Sequence, residues 1–290
     1  MTQPRIDGRI ALVTGASRGI GRAIAQRLAA AGATVVVTAR TLETAGAYAG
    51  TLKETVALIE AAGGRALPLV ADLENPVDLA GIVGRAVALA GGLDILVHSG
   101  GKASYGPVAT MPGEMFENTL GHYLRAPFYL VQQAVPEMRK RGGGWIVTLG
   151  SVTALPPGRP YDDWAKHGGA TVYAAIKAAV HRMNQGLAAE LLADNIAVNT
   201  LSPSTAIRTP GASDIIPENY PSERIEYIAE TALALCHLPA AQRTGLTAYS
   251  LHFPLAHNLP VYSLDGREQL PAPEIPAYAH PAIVGSGEGN

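Results

Sequence analysis

The stretch IALVTGASRGIGRAIAQRLAAAG, residues 10–32, decides how this chain folds. It opens on a continuous apolar run (10–15), turns through three glycines and continues as an Ala/Leu-rich helical pattern (19–32). Gly15, Gly19 and Gly21 allow a tight strand-to-helix turn, with room for a pyrophosphate close to the backbone. The helix start then offers unpaired N–H groups and the positive end of the helix dipole to the phosphates. Gly15, Ser17, Arg18, Gly19, Ile20 and Gly21 are therefore candidate cofactor-binding residues. The same letters also read G-x-S-x-G, the strand–turn–helix nucleophile elbow of serine hydrolases. That fold takes its oxyanion-hole loop from an earlier strand, and no strand pattern precedes residue 10, so the phosphate-binding reading is preferred.

Outward from this unit the same alternation recurs. Continuously apolar runs at 33–39, 66–71, 93–99, 144–150, 196–202 and 246–253 are separated by helical patterns such as 114–141 and 170–193. Unbroken apolar runs are what parallel strands covered on both faces require, and strand–helix–strand repetition means right-handed crossovers. The expectation is a doubly wound, seven-stranded parallel sheet between two helical layers, a Rossmann fold, occupying residues 1–253 as one domain. Beyond it, six prolines between 254 and 281 exclude a long helix or a central strand. The segment 254–276 is either an ordered arm, on its own or a neighbouring subunit, or a tail, and the glycine-rich end reads as disordered.

Composition narrows the function. With 22 Lys+Arg against 24 Asp+Glu there is no overall pull toward nucleic acid or anionic lipid. Charged residues are only 16% of the chain, which points to a large core and a subunit interface. No apolar stretch is long enough for a membrane span, and no signal peptide is evident at the start. The single cysteine, Cys236, reads as a buried thiol in a reducing cytoplasm, and the eight histidines show no metal-ligand spacing.

Two tyrosines are each followed by a lysine: Tyr161 by Lys166 and Tyr173 by Lys177. Residues i and i+4 lie about 40° apart around a helix, whereas i and i+5 lie about 140° apart. Tyr173 and Lys177 therefore share a face of VYAAIKAAV, while Tyr161 and Lys166 sit among prolines and glycines that argue against a helix. Carbonyl reduction needs a proton donor at the oxygen, and a nearby ammonium lowers a phenol's pKa toward the working range.

The spacing TGxxxGxG of Thr14–Gly21, followed by this Y-x-x-x-K, resembles the short-chain dehydrogenase/reductase family over about 250 residues. That resemblance implies an NAD(P)-dependent oxidoreductase interconverting a secondary alcohol and a ketone, with Tyr173 as acid/base and Lys177 lowering its pKa while holding the nicotinamide ribose. WIVTLGS resembles the family's I-V-N-I-S-S, which makes Ser151 the residue that orients the carbonyl. Asp72 and Leu73 stand at the family's adenine contact. Ser99, Gly100 and Gly101 stand in its D-x-L-V-N-N-A-G stretch, where His98, Ser99 and Gly100 depart from the pattern. Pro203, Ile207 and Thr209 in VNTLSPSTAIRTPG correspond to its nicotinamide loop, with Ser204 in place of glycine and one extra residue. The family's relay asparagine, which bonds a water, is replaced by Tyr123, so the relay is either rebuilt through the Tyr123 hydroxyl or weakened.

The second strand ends VVVTAR, with Ala39 where NAD-binding folds carry a carboxylate and Arg40 next to it. With Arg18 in the turn, this favours the 2′-phosphate of NADP(H) over NAD(H). Between Ser151 and Tyr173 the segment 156–169 contains an insertion whose Tyr161, Trp164 and His167 either line the substrate pocket or form a plain surface loop. The other expected lid is 210–224. Neither carries an arginine cluster, which favours an apolar or aromatic small-molecule substrate. The family habit of pairing helices 114–141 and 170–193 implies a homodimer or homotetramer. A cofactor-binding sensor or scaffold with little turnover is the rival reading, resting on the changes at Tyr123, His98 and Ser99.

Overall fold

The computed structural model describes residues 3–43, 48–212, 216 and 218–283. Seven strands form one parallel sheet: β1 (Ile10–Thr14), β2 (Thr34–Ala39), β3 (Arg65–Val70), β4 (Ile95–His98), β5 (Gly144–Leu149), β6 (Ile196–Ser202) and β7 (Thr247–Tyr249). Their order is β3-β2-β1-β4-β5-β6-β7, so the winding reverses between β1 and β4, the point where such sheets open a crevice for a ligand. The helices are α1 (Gly19–Ala30), α2 (Leu52–Ala61), α3 (Pro76–Ala90), α4 (Gly113–Leu120), α5 (Ala126–Lys140), α6 (Asp163–His167), α7 (Thr171–Glu190), α8 (Ile225–Leu235) and α9 (His252–Ala256).

Side-chain alternation explains the unbroken apolar runs. Ala11, Val13, Val35, Val37, Ile95 and Val97 point into a core with α1, α2 and α8, while Leu12, Val36 and Leu96 point into a second core with α3, α5 and the end of α7. Helices cover both faces, so the central strands carry apolar side chains in both directions, and the chain is a doubly wound Rossmann fold of three layers. Local signals set the helix ends: α3 starts behind Asn75, whose side chain accepts from the Val77 amide, with Pro76 in the first turn. It stops at Gly91, held at φ 90°.

Two expected elements are divided. The run 114–141 is α4 and α5 joined by a π turn, Gly121–Arg125, in which the Ala126 amide reaches back to the Gly121 carbonyl. Pro127 has no N–H to give the carbonyl four residues earlier, so the helix rewinds there. The run 246–253 yields only the three-residue β7 before the chain turns at Ser250, whose amide bonds the Ser202 carbonyl, and enters α9.

Residues 254–283 lie on the chain's own surface. Val261 and Leu270 pack with Tyr227 and Leu251, and the Tyr262 amide donates to the Glu230 carboxylate, itself ion-paired with buried Arg27 at 2.7 Å. The glycine-rich end, 284–290, falls outside the described residues. Cys236 is buried, which pushes its thiol pKa up. No helix among the described residues is long and apolar enough to cross a membrane.

Candidate active site

The carboxyl ends of β1, β4, β5 and β6 bring the candidate residues together. Gly15 and Gly19 take φ of 66° and 54°, conformations that favour glycine. A Cβ at Gly21 would stand 2.4 Å from the Gly15 carbonyl oxygen, and one at Gly15 would stand 2.7 Å from the Gly100 Cα. The turn therefore packs tightly against the loop after β4. Helix α1 begins without a side-chain cap, leaving its first-turn N–H groups for an external acceptor, as a phosphate cradle requires. A Cβ at Gly19 would meet Thr209 at 3.1 Å, so the loop after β6, with buried Ile207, faces this turn. Leu73 lies against Gly100 from the other side. A dinucleotide fits this donor set. Asp72 is committed internally: its amide donates to Asp78 at 2.9 Å, and its carboxylate accepts the Glu74 amide at 3.0 Å.

The two arginines differ. Arg18 is half-buried, donates to the Tyr48 carbonyl at 2.6 Å, and is made more acidic by burial, then by Arg22 and Arg40 nearby. Arg40 is exposed and paired with Glu74 at 3.1 Å.

The departures after β4 are coupled to this frame. Thr14 Oγ1 accepts the Ser99 and Gly100 amides, each at 3.2 Å, and donates to His98 Nδ1 at 3.0 Å. His98 Nε2 donates to the His122 carbonyl in the π turn, also at 3.0 Å, which fixes the neutral tautomer. Burial lowers the His98 pKa to about 3.

Ser151 follows β5, and its Oγ lies 2.8 Å from Thr153 Oγ1. Tyr173 and Lys177 sit one turn apart on α7, with the ammonium 5.6 Å from the Tyr173 ring centroid. That ammonium is buried, donates to the Leu149 carbonyl at 2.5 Å and rests 4.1 Å from the Tyr123 ring centroid. Burial brings the Lys177 pKa down to about 7. The Tyr173 phenol moves up, not down as expected: burial and then Tyr105 raise it, and a hydrogen bond with Ser151 only partly offsets them. Lys177 does not offset that rise, because a lysine brought down to about 7 has lost its charge before the phenol titrates.

Two residues escaped the sequence reading. Tyr105, after β4, stands edge-on to both Tyr173 (5.3 Å between centroids) and Trp164 (5.8 Å), and burial pushes its pKa up to about 12. Its position beyond a strand end was the available signal. His181 extends the spacing Tyr173, Lys177 by one more turn, with Nε2 3.4 Å from the Ser151 amide nitrogen. Burial, then Lys177, lowers its pKa to about 4.

Within the inserted segment, Asp163–His167 is a one-turn helix after all, capped by Asp162, whose carboxylate accepts the Ala165 amide at 2.7 Å. That cap lets a turn form despite the flanking prolines. Tyr161 and Lys166 do not pair: Tyr161 stacks under Arg159, and Lys166 faces Asp163 at 3.7 Å. Trp164, Tyr161 and His167 are all exposed, and Trp164 reaches Tyr105 in an edge-to-face ring contact. The Gly106 amide donates to the Gly169 carbonyl at 3.0 Å, tying the insertion to the loop after β4. Of the lid 210–224, residues 213–215 and 217 lie outside the described residues. Its Tyr220 meets Tyr278 of the C-terminal arm at 5.8 Å, and His280 Nε2 donates to the Pro156 carbonyl at 2.9 Å.

Comparison with known proteins places the fold in a family. The model of the short chain dehydrogenase family matches residues 9–219. Hydroxysteroid dehydrogenase-like protein 2 of Danio rerio is 32% identical over 242 residues, covering 82% of this chain, and the chain spans only 56% of that protein. A 7 alpha-hydroxysteroid dehydrogenase solved with NADH and 7-oxo glycochenodeoxycholic acid superposes with a TM-score of 0.73 at 30% identity, covering 84% of this chain and 93% of that one. A 3-oxoacyl (acyl-carrier-protein) reductase from Agrobacterium tumefaciens C58, solved with NADP, gives 0.71 at 30% identity, over 84% and 93%. The chain belongs to the short-chain dehydrogenase family.

Proposed function

We propose that this protein is an NADP(H)-dependent oxidoreductase that interconverts a secondary alcohol and a ketone. The observation that carries the reading is the convergence of Ser151, Tyr173 and Lys177 at the carboxyl edge of the sheet, beside the uncapped start of α1. Bound nicotinamide cofactor supplies or accepts the hydride. Gly15, Ser17, Gly19, Ile20 and Gly21 would hold its pyrophosphate, and Arg18 and Arg40 in the same turn region its 2′-phosphate. Leu73, with Ser99, Gly100 and Gly101, lines the adenosine, and Pro203, Ile207 and Thr209 hold the nicotinamide side. Arg18 and Arg40 repel one another, and a shared phosphate dianion relieves that repulsion.

In reduction, the Ser151 hydroxyl orients the carbonyl and the Tyr173 phenol gives its proton to the oxygen as negative charge builds there. A phenol with a raised pKa keeps its proton at neutral pH, as the reductive direction needs. Lys177, next to Tyr173 on α7, would hold the nicotinamide ribose. Tyr105 and Trp164 form an aromatic wall beside Tyr173, which favours an apolar or aromatic substituent on the carbonyl. The exposed aromatics Phe116, Phe128 and Tyr129 on α4 and α5 support assembly as a homodimer or homotetramer, and the single buried thiol supports a cytoplasmic home.

The test mixes the protein with NADPH and a panel of ketones and aldehydes, following loss of nicotinamide absorbance. Turnover that disappears in Tyr173→Phe supports the assignment. NADPH binding without reduction of any carbonyl or oxidation of any alcohol would favour the sensor reading instead.

A further inference from the structure

The two departures from the family pattern, at His98 and Tyr123, meet in space. His98 Nε2 donates to the His122 carbonyl, and so pins the π turn that carries Tyr123. The Tyr123 ring lies against Gly101, where a Cβ would stand 2.5 Å from Cε1, so the absence of a side chain at 101 lets the ring in. The ring is buried, and the Lys177 ammonium lies 4.1 Å from its centroid, nearer than to the Tyr173 ring at 5.6 Å. An ammonium over a ring face at this range is held by the ring's quadrupole, most strongly where water is excluded.

We propose that Tyr123 is a positioning residue that acts through its ring face and not its hydroxyl: it takes the place of the relay asparagine by holding the Lys177 ammonium in its charged form. This rests on the assignment of Lys177 and Tyr173 made above. The environment of Lys177 leaves this role to the ring. Leu149 from β5 supplies one carbonyl, His98 from β4 and His181 from α7 are titratable neighbours that burial and Lys177 keep neutral, and Tyr173 is the remaining aromatic. No carboxylate is ion-paired with Lys177 among the described residues. The hydroxyl stays protonated because burial raises its pKa well above that of a free phenol, which makes it a poor link for proton exchange.

The experiment compares Tyr123→Phe, Tyr123→Leu and a series of fluorinated phenylalanines at position 123, which keep the shape of the ring and weaken its quadrupole in steps. Two readouts are taken: the NMR titration midpoint of Lys177 in cofactor-free protein, and the pH profile of ketone reduction. Tyr123→Phe is expected to leave the midpoint in place and turnover within about threefold of the parent. Tyr123→Leu is expected to lower the midpoint, and the alkaline limb of the profile, by about one pH unit, with fluorination giving a graded fall. The fluorinated series carries the test if Tyr123→Leu does not fold. A loss in Tyr123→Phe as large as in Tyr123→Leu would assign the role to the hydroxyl and overturn the proposal, as would a midpoint indifferent to fluorination. Full turnover in Tyr173→Phe would instead overturn the underlying mechanism while leaving the Lys177 midpoints interpretable.

Discussion

Arg18→Ala and Arg40→Ala should separate cofactor recognition from general phosphate binding, and the structure assigns them unequal effects. Arg18 is half-buried, anchored on the Tyr48 carbonyl, and pressed by Arg22 and Arg40. A charge-assisted contact from such a pre-oriented guanidinium to a phosphate is worth about 2 kcal/mol, or about 30-fold in affinity. Arg40 is exposed, and Glu74 at 3.1 Å already neutralises part of its charge. Screening and that competition limit its share to about 0.5–1 kcal/mol, roughly threefold, fading as salt is added. Dissociation constants for NADPH and NADH, read from nicotinamide fluorescence at two ionic strengths, test this. Arg18→Ala should weaken NADPH about 30-fold and NADH hardly at all. Glu74→Gln, which frees Arg40, should tighten NADPH alone. Equal weakening of both cofactors by Arg18→Ala would refute the reasoning, because the arginine would then be reading a phosphate they share.

Three further outcomes are expected. Glu230→Ala leaves the Arg27 guanidinium buried without its partner and should cost about 3–5 kcal/mol in urea denaturation, while Arg27→Met with Glu230→Leu should come close to neutral. Trp164→Ala removes the outer member of the aromatic wall and should raise KM for bulky aryl ketones more than for small aliphatic ones, with kcat for the small ones unchanged. The third concerns Glu223, which is pushed up to about 7 by burial despite accepting hydrogen bonds from Ser250 and Thr205. Its folded pKa lies above the unfolded carboxylate value, so the native state holds the extra proton. Its contribution is complete below about pH 4.5 and is lost as pH rises through about 7, for a total on the order of 3 kcal/mol. The buried His98 and His181, with lowered pKa values, run in the opposite direction. The difference between the protein and Glu223→Gln, measured by denaturation at pH 5 and pH 7.5, isolates the effect, and a difference that does not change with pH would contradict it.

The strands were legible because two cores take apolar side chains from both faces of the sheet: Leu12 serves one layer and Val13 the other. Tyr173 and Lys177 were legible because helical spacing alone puts them on one face. What stayed hidden depends on contacts between distant segments. Tyr105 sits in a stretch without periodicity, and only the docking of Gly169 on Gly106 brings Trp164 to it. The one-turn helix at Asp163–His167 was masked by its prolines, although Asp162 supplies an ordinary cap. The upward shift of the Tyr173 phenol was equally out of reach, since sequence spacing says which groups are neighbours but not how much water remains between them.

The frame around the mouth of the candidate site has a consequence for altering this protein. The loop after β4 holds the insertion through Gly106 and Gly169, the insertion holds the arm through Pro156 and His280, and the arm holds the lid through Tyr278 and Tyr220. Each link joins segments far apart in the chain, so grafting one loop from a relative strands the others without their counterparts. New specificity in this scaffold is reached by exchanging the four segments as a set, or by changing exposed side chains such as His167 that take no part in those links.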